Sequence, residues 1–146
     1  GKRHDDHHFE INHAAGHTTS GLVVHAACDD KSRSIGTGLL RIEADCDGSN
    51  AGQIFRNLLL SEKSRAESIP ELEVLSDDVK AEHGAASAPV SAEQLHYLMS
   101  RGLTQSSAEA LIIEGFLMDA FKEIRSQKVV AAMRTALLLH LDCLVS

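Results

Sequence analysis

The chain has 146 residues, of which 43% are hydrophobic, so it is long enough to bury a core and is not of the disordered type. The net charge of -7 argues against non-specific nucleic-acid binding, and the shortage of aromatic residues, with no Trp and one Tyr, removes the usual stacking platforms for single strands or sugars. No apolar run approaches the roughly 20 residues that span a bilayer, so we expect no membrane partner, and no apolar leader follows Gly1, so we expect the chain to start partway through a longer protein.

Histidines are concentrated near the N-terminus. His4, His7 and His8 surround two aspartates, and His13 and His17 follow at a spacing that would place two metal ligands together on a helix. The residues between them alternate between apolar and polar, which predicts a strand. We therefore expect a solvated strand or turn, with a His-rich metal-binding module kept as an alternative.

Short strand-like segments continue to about residue 88. Apolar residues recur with a period of two around Leu40 and Ile42, and further runs lie at 22–24, 54–60 and 71–75, separated by Gly, Asp, Asn and Ser. Such spacing is typical of a sandwich, a barrel or a β-solenoid, and the pattern alone does not choose among them. We predict a mainly β domain over residues 1–88.

The three cysteines, Cys28, Cys46 and Cys143, are widely spaced and form no Cys-x-x-Cys pair. A zinc site or cluster site made of cysteines alone is therefore not expected. We expect buried, reduced thiols in an intracellular protein.

His83 lies in a further strand-like segment. Alternation places Val79, Ala81 and His83 on one face and Lys80 and Glu82 on the other. A histidine in this setting is either a core residue with satisfied hydrogen bonds or a metal ligand whose second nitrogen is fixed. The residues themselves leave both interpretations open.

Residues 89–146 show helical periodicity and form the second predicted domain. Pro89 marks the break, Ser91 opens a first helix that ends near Gly102, and two more helices are predicted over 104–124 and 126–143. The last two helices are apolar on most sides, so either the β part or a partner protein must cover them. The candidate partner-binding residues are Ile112, Phe116, Leu117, Phe121, Met133 and Leu137.

The sequence contains no His-Glu-x-x-His, phosphate-binding loop, Gly-x-Ser-x-Gly or Gly-x-Gly-x-x-Gly motif. Hydrolase and nucleotide-binding functions therefore lack support from motifs. We expect no enzymatic activity in this chain.

Several segments, in order along nearly the whole chain, resemble the C-terminal third of the SufB/SufD family of iron–sulfur cluster scaffold proteins. They are HTTS (17–20), DKSRS (30–34), NLLLSEKSRAES (57–68), PELEVLSDDVKAEHGAAS (70–87) and LHYLMSRGLTQSSAEALIIEGFL (95–117). The resemblance implies a right-handed parallel β-helix followed by a helical segment that docks the ABC-type ATPase SufC. It also implies pairing with SufB through the β-helix.

Departures from the family pattern favour its SufD branch. SufB-like chains carry a cysteine where this sequence has Val74 and a glutamate where it has Gly84. His83 matches a residue implicated in iron or cluster handling at the SufB–SufD interface, while Ala81 stands where SufD-like chains often have a cysteine. A lone histidine supplies one ligand, so SufB would have to supply the others.

The resemblance thus implies a non-catalytic scaffold subunit with no stably bound cofactor of its own, which handles iron or a nascent cluster within a complex. Its location would be the bacterial cytoplasm, or the plastid stroma in a eukaryote. The alternative of another class is a carbohydrate-active enzyme on a β-helix, which would need clustered carboxylates and aromatic platforms.

Overall fold

The computed structural model describes residues 1–145, with side chains to residue 141, and divides the chain into a unit of residues Gly1–Ala88 and a unit that begins at Pro89. The first unit consists of strands and the second of helices, as the periodicity predicts. The strands are β1 (His4–His13), β2 (Thr19–Cys28), β3 (Arg33–Ile42), β4 (Asn50–Leu59), β5 (Arg65–Val74) and β6 (Lys80–Pro89). The helices are α1 (Ala92–Ser100), α2 (Gln105–Asp119) and α3 (Gln127–Val145).

Successive strands alternate between two parallel sheets. The first sheet has the order β1-β3-β5 and the second has the order β2-β4-β6. In the first sheet His4 lies opposite Arg33, and Arg33 lies opposite Arg65, so the pattern recurs after roughly 30 residues. Each strand therefore pairs with strands two positions away along the chain, as β1 pairs with β3 and β2 pairs with β4.

The core of this unit lies between the inward faces of the two sheets. Leu40 and Ile42 of β3 are fully buried together with Ala51 of β4 and with Cys46 from the intervening turn. Phe55 of β4 is also buried, and its ring lies against that of Phe9 at a centroid distance of 6.3 Å. Alternate residues of each strand thus supply the apolar interior.

Polar side chains share this interior and are hydrogen-bonded, except that Gln53 Oε1 has no partner among the described residues. Gln53 of β4 donates from Nε2 to the Glu71 carbonyl oxygen of β5 at 2.8 Å, which links the two sheets. Asn57 donates from Nδ2 to the hydroxyls of Ser68 and Ser87 at 2.9 and 3.0 Å. Such bonds offset the cost of burying the amides and fix which residues of β5 and β6 face inward.

The strands β5 and β6 are the last of their sheets, so each has one edge that no described strand covers. Pro70 lies within β5, where its missing N–H is tolerated because the strand is an edge. Pro89 is the last residue of β6. The strand part of the chain therefore ends in two open edges.

The helices begin where the sequence predicts. The hydroxyls of Ser91 and Thr104 accept from the backbone N–H groups of Gln94 and Ser107, and Gly102 follows α1 with a positive φ of 97°. The predicted end of the second helix at Ile124 is wrong, because α2 ends at Asp119. From Ala120 onward, backbone N–H groups donate to the carbonyl three residues earlier, as Phe121 N–H does to the Met118 carbonyl oxygen. These are the hydrogen bonds of a tighter 3₁₀-type turn.

Within the described part of the chain, none of the helices has both the length and the apolar character required to cross a membrane.

Candidate functional site

His83 lies on the outermost strand of the second sheet. Ala81 of the same strand packs against the buried cluster, and Ser87 bonds to buried Asn57, so alternation assigns His83 to the inward face as well. His83 is nevertheless exposed, because no strand of the first sheet follows β5 to cover it. The sequence left two interpretations of His83 open, a core residue and a metal ligand. The first is wrong for the described chain, because His83 is exposed.

A shallow depression of about 330 Å³ lies beside His83. It is lined by residues of β4 and β6, namely Ile54, Phe55, Arg56, Glu82, His83, Gly84, Ala85 and Ala86. Gly84 follows His83 and therefore lies on the opposite face of β6, where an added Cβ would meet nothing within 4 Å. The His83 side chain is itself exposed.

The structure gives His83 no hydrogen bond to another side chain among the described residues. In the same part of the chain, no three residues of the types His, Cys, Asp and Glu come together in a group that could hold a metal ion. His83 can therefore offer one nitrogen ligand, and a complete metal site would need groups from another molecule.

The residues at which the sequence departs from the family pattern that it resembles lie on β5 and β6. Val74 is exposed at the end of β5, whereas Ala81 is half-buried against the core. A cysteine at position 81 would point inward beside His83 on the same strand face. Alanine there leaves the histidine without a neighbouring thiol.

The N-terminal histidines do not form one cluster. His4, His7 and His8 lie along β1, where His8 pairs with Asp6 at 3.2 Å and His7 stacks against Phe9. His17 lies in the following turn with a positive φ of 56°. The predicted strand and turn are confirmed, and successive strand residues point to opposite faces instead of converging.

His13, by contrast, is a buried structural residue that the sequence pattern did not single out. It is only 4% exposed, and its two ring nitrogens lie 2.5 Å from Thr18 Oγ1 and 2.7 Å from Ser20 Oγ. The Thr18 hydroxyl donates to the Ala15 carbonyl, so it must accept from Nδ1–H of His13. Nε2 is hydrogen-bonded to the Ser20 hydroxyl, so both ring nitrogens are engaged within the chain and neither is free for a metal.

The six predicted partner-binding residues differ in accessibility. Met133 is 43% exposed, whereas the others are half-buried within the helical unit. The latter five are Ile112, Phe116, Leu117, Phe121 and Leu137. Part of the apolar surface of α2 and α3 is therefore covered within the helical unit.

Some apolar residues of the helices outside the predicted set are exposed as well. Leu139 is 65% exposed, and Val129 and Leu111 are also exposed. Val129, Met133, Ala136 and Leu139 recur at helical spacing, so they share one face of α3. Hydrophobicity alone could not separate this face from the packed one, because α3 is apolar on both.

Residues 1–116 match the family model described as SUF system FeS cluster assembly, SufBD core domain. The chain is 36% identical over 124 residues to the iron–sulfur cluster assembly protein SufD of Bacillus subtilis, an alignment that covers 85% of this chain and 28% of that protein. It is 30% identical over 132 residues to SufB of the same organism, with 90% of this chain and 28% of that protein covered. SufD of Escherichia coli is 29% identical over 117 residues, with coverage of 80% and 28%.

This chain therefore spans just over a quarter of the length of these curated relatives. The match nevertheless covers most of the chain itself, including all six strands and most of α2. The chain belongs to the SufB/SufD family of iron–sulfur cluster assembly proteins.

Proposed function

We propose that this chain is the C-terminal part of a SufD-like, non-catalytic scaffold subunit that works with SufB and SufC in iron–sulfur cluster assembly. In this proposal β1 to β6 are the last coils of a right-handed parallel β-helix. The observation that carries the proposal is the family match over residues 1–116, together with strands that alternate between two parallel sheets. The compartment would be the bacterial cytoplasm or the plastid stroma.

A SufD-like rather than a SufB-like identity is supported by the relatives from one organism. Identity is 36% to SufD of Bacillus subtilis and 30% to SufB of that species. Val74 and Gly84 also replace the cysteine and glutamate of the SufB pattern. Both lines of support favour SufD.

Pairing with SufB would use the open edges of β5 and β6. Edge strands carry unpaired backbone groups that readily bond to another chain. His83 on β6 would then lie at the new interface, where it could bind iron or a nascent cluster as one ligand among several. The remaining ligands would come from SufB, because the described side chains near His83 include no thiol.

The role of His83 can be tested in the assembled complex with SufB and SufC. We expect His83→Ala to lower the rate of cluster assembly and the iron content of the complex. His4→Ala, at the exposed histidine that begins β1, should change neither. Assembly of the complex itself, measured by gel filtration, should be unchanged by both variants. Cluster assembly at the wild-type rate with His83→Ala would reduce the residue to a surface position.

SufC would dock on the helical unit. The support is the apolar face of α3 that includes Met133 and Leu139, because exposed apolar patches of this kind commonly mark protein interfaces. ATP binding and hydrolysis would belong to SufC. Movement of SufC would pass through α2 and α3 and change the interface at which His83 lies, admitting iron or a nascent cluster.

The docking hypothesis is best tested at the exposed positions. Met133→Asp with Leu139→Asp should abolish co-purification of SufC, whereas Leu75→Asp, at an exposed leucine of the strand unit, should not. Phe116→Asp and Leu137→Asp would test the half-buried side of the predicted set, with circular dichroism to verify that the helices still form. Retention of SufC by the double variant at 133 and 139 would contradict docking on this face.

A further inference from the structure

The outer face of the first sheet carries an aliphatic strip on its central strand. Leu40 and Ile42 of β3 are buried, so alternation directs Ile35, Thr37 and Leu39 to the opposite face. Ile69 of β5 lies directly beside Thr37 and is 43% exposed. Three aliphatic side chains are thereby grouped around one threonine on the outside of the sheet.

Acidic residues border this strip on both neighbouring strands. The strand register places Asp6 and Glu67 on either side of Ile35. It also places Glu10 and Glu71 on either side of Leu39. All four acidic residues are exposed.

Two of these carboxylates lack a counter-charge. Glu67 pairs with Arg33, and Asp6 lies 3.2 Å from His8. Glu10 and Glu71 have neither an ion pair nor a side-chain hydrogen bond among the described residues. Arg41, the next residue of β3 on this face, is paired with Glu43 and Glu73, so the carboxylates beside Leu39 are left for a partner.

We propose that this acidic-bordered strip is a docking surface for a basic amphipathic helix of a partner protein. Neighbouring strands lie about 4.8 Å apart, so the two acidic borders are about 10 Å apart, which matches the 10–12 Å width of a helix. The helix would lie along the strands with its apolar stripe on Ile35, Leu39 and Ile69. Lysine or arginine on its two flanks would meet Glu10 and Glu71.

The chemistry of the face favours such a segment over other ligands. Nucleic acid would be repelled by the carboxylates, and the strip has aliphatic side chains in place of the aromatic platforms that sugars use. From the row of Asp6 to the row of Glu10 the strip extends about 13 Å, the length of roughly 9 helical residues. The inference does not depend on docking of SufC or on a metal role for His83.

The test uses the full chain and a fluorescein-labelled peptide of 14 residues that contains only leucine and lysine, with the leucines at helical spacing. Fluorescence anisotropy gives its Kd for the wild type, for Glu10→Gln/Glu71→Gln and for the matched control Glu62→Gln/Glu123→Gln. We expect the first double variant to weaken binding by roughly threefold to tenfold, and the control to change it by less than twofold. Ile69→Ser should weaken binding as well, because it removes the most exposed aliphatic side chain.

Three outcomes would overturn the proposal. The first is equal weakening by both double variants, which would mean attraction to net charge only. The second is equal affinity for a peptide of the same composition with its leucines dispersed around the helix. The third is a wild-type chain that dimerises in sedimentation experiments and becomes monomeric in Glu10→Gln/Glu71→Gln, which would make a second copy the occupant.

Discussion

Asn57 on β4 and Ser87 on β6 are joined by a side-chain hydrogen bond of 3.0 Å that ties the outermost strand to the buried interior. The same amide also donates to Ser68 of β5. One residue thus connects the last strands of both sheets, and it determines which face of β6 carries His83.

Asn57→Ala should destabilise the chain by about 2 kcal/mol, because it removes a buried amide and its two hydrogen bonds, each worth about 1 kcal/mol. Urea unfolding followed by circular dichroism measures the change, with Asn50→Ala at an exposed position of β4 as the control. A loss equal to that of the control would show that the bonds to Ser68 and Ser87 contribute nothing to stability.

Gly38→Ala should be destabilising by about 1–3 kcal/mol, because overpacking a filled core forces side chains and backbone to shift. An added Cβ would collide with Gln53 Oε1 and lie 2.8 Å from the Phe55 ring. Gly21→Ala is the matched control on β2, since its Cβ would meet nothing within 4 Å. Thermal unfolding of the two variants compares them directly, and a Gly38→Ala protein as stable as the control would contradict the packing described for β3 and β4.

His13→Phe should cost about 2 kcal/mol, since it removes the buried imidazole to which the Thr18 and Ser20 hydroxyls are hydrogen-bonded. His4→Phe, at an exposed position of β1, should be nearly neutral. Nitrogen NMR of the wild type should show a proton on Nδ1 of His13, the nitrogen that donates to the Thr18 hydroxyl. A ring whose Nδ1 carries no proton would contradict that direction of the hydrogen bond.

Burial raises the pKa of the Cys28 thiol above its usual 9.0, although hydrogen bonds from Ser32 and Ser34 act in the opposite direction. In the unfolded chain the thiol therefore releases its proton at a lower pH than in the folded chain. The stability associated with Cys28 is present below about pH 9 and is lost as the pH rises above that value. Unfolding measured between pH 7 and 10 should show this loss, and Cys28→Ala should flatten it.

The accessibility of the thiol can be checked separately. In a Cys143→Ser background, Cys28 and Cys46 are both buried and should react with a disulfide reagent only when the chain is unfolded. Immediate reaction of either thiol with the folded chain would contradict its burial.

The strands were predictable from the sequence because their apolar residues alternate, as at Leu40 and Ile42. Their pairing was not, since a period of two is the same whether a strand bonds to the next strand or to the next but one. The exposure of His83 was not predictable either, because the strand face is set locally, whereas coverage of that face depends on a strand that the described chain does not have. His13 resembled its neighbours in sequence, and only the two hydroxyls beyond the turn make it a core residue.

The helices show the same difference between features that are set locally and features that depend on more distant parts of the chain. Caps at Ser91 and Thr104 act locally and were readable, while the early end of α2 depends on a change in backbone bonding that apolar residues up to Ile124 conceal. The resemblance to SufB and SufD sequences gave the family, which the comparisons confirm.

Every strand of the two sheets has ten residues, while the connections between them differ in length. Variation in chain length is thus absorbed at the corners and leaves the ladders unchanged. A tandem copy of two strands with their corners would add one ten-residue strand to each sheet and leave the existing strand pairs unchanged. A corner of this chain can therefore gain or lose a residue without shifting the register of either sheet.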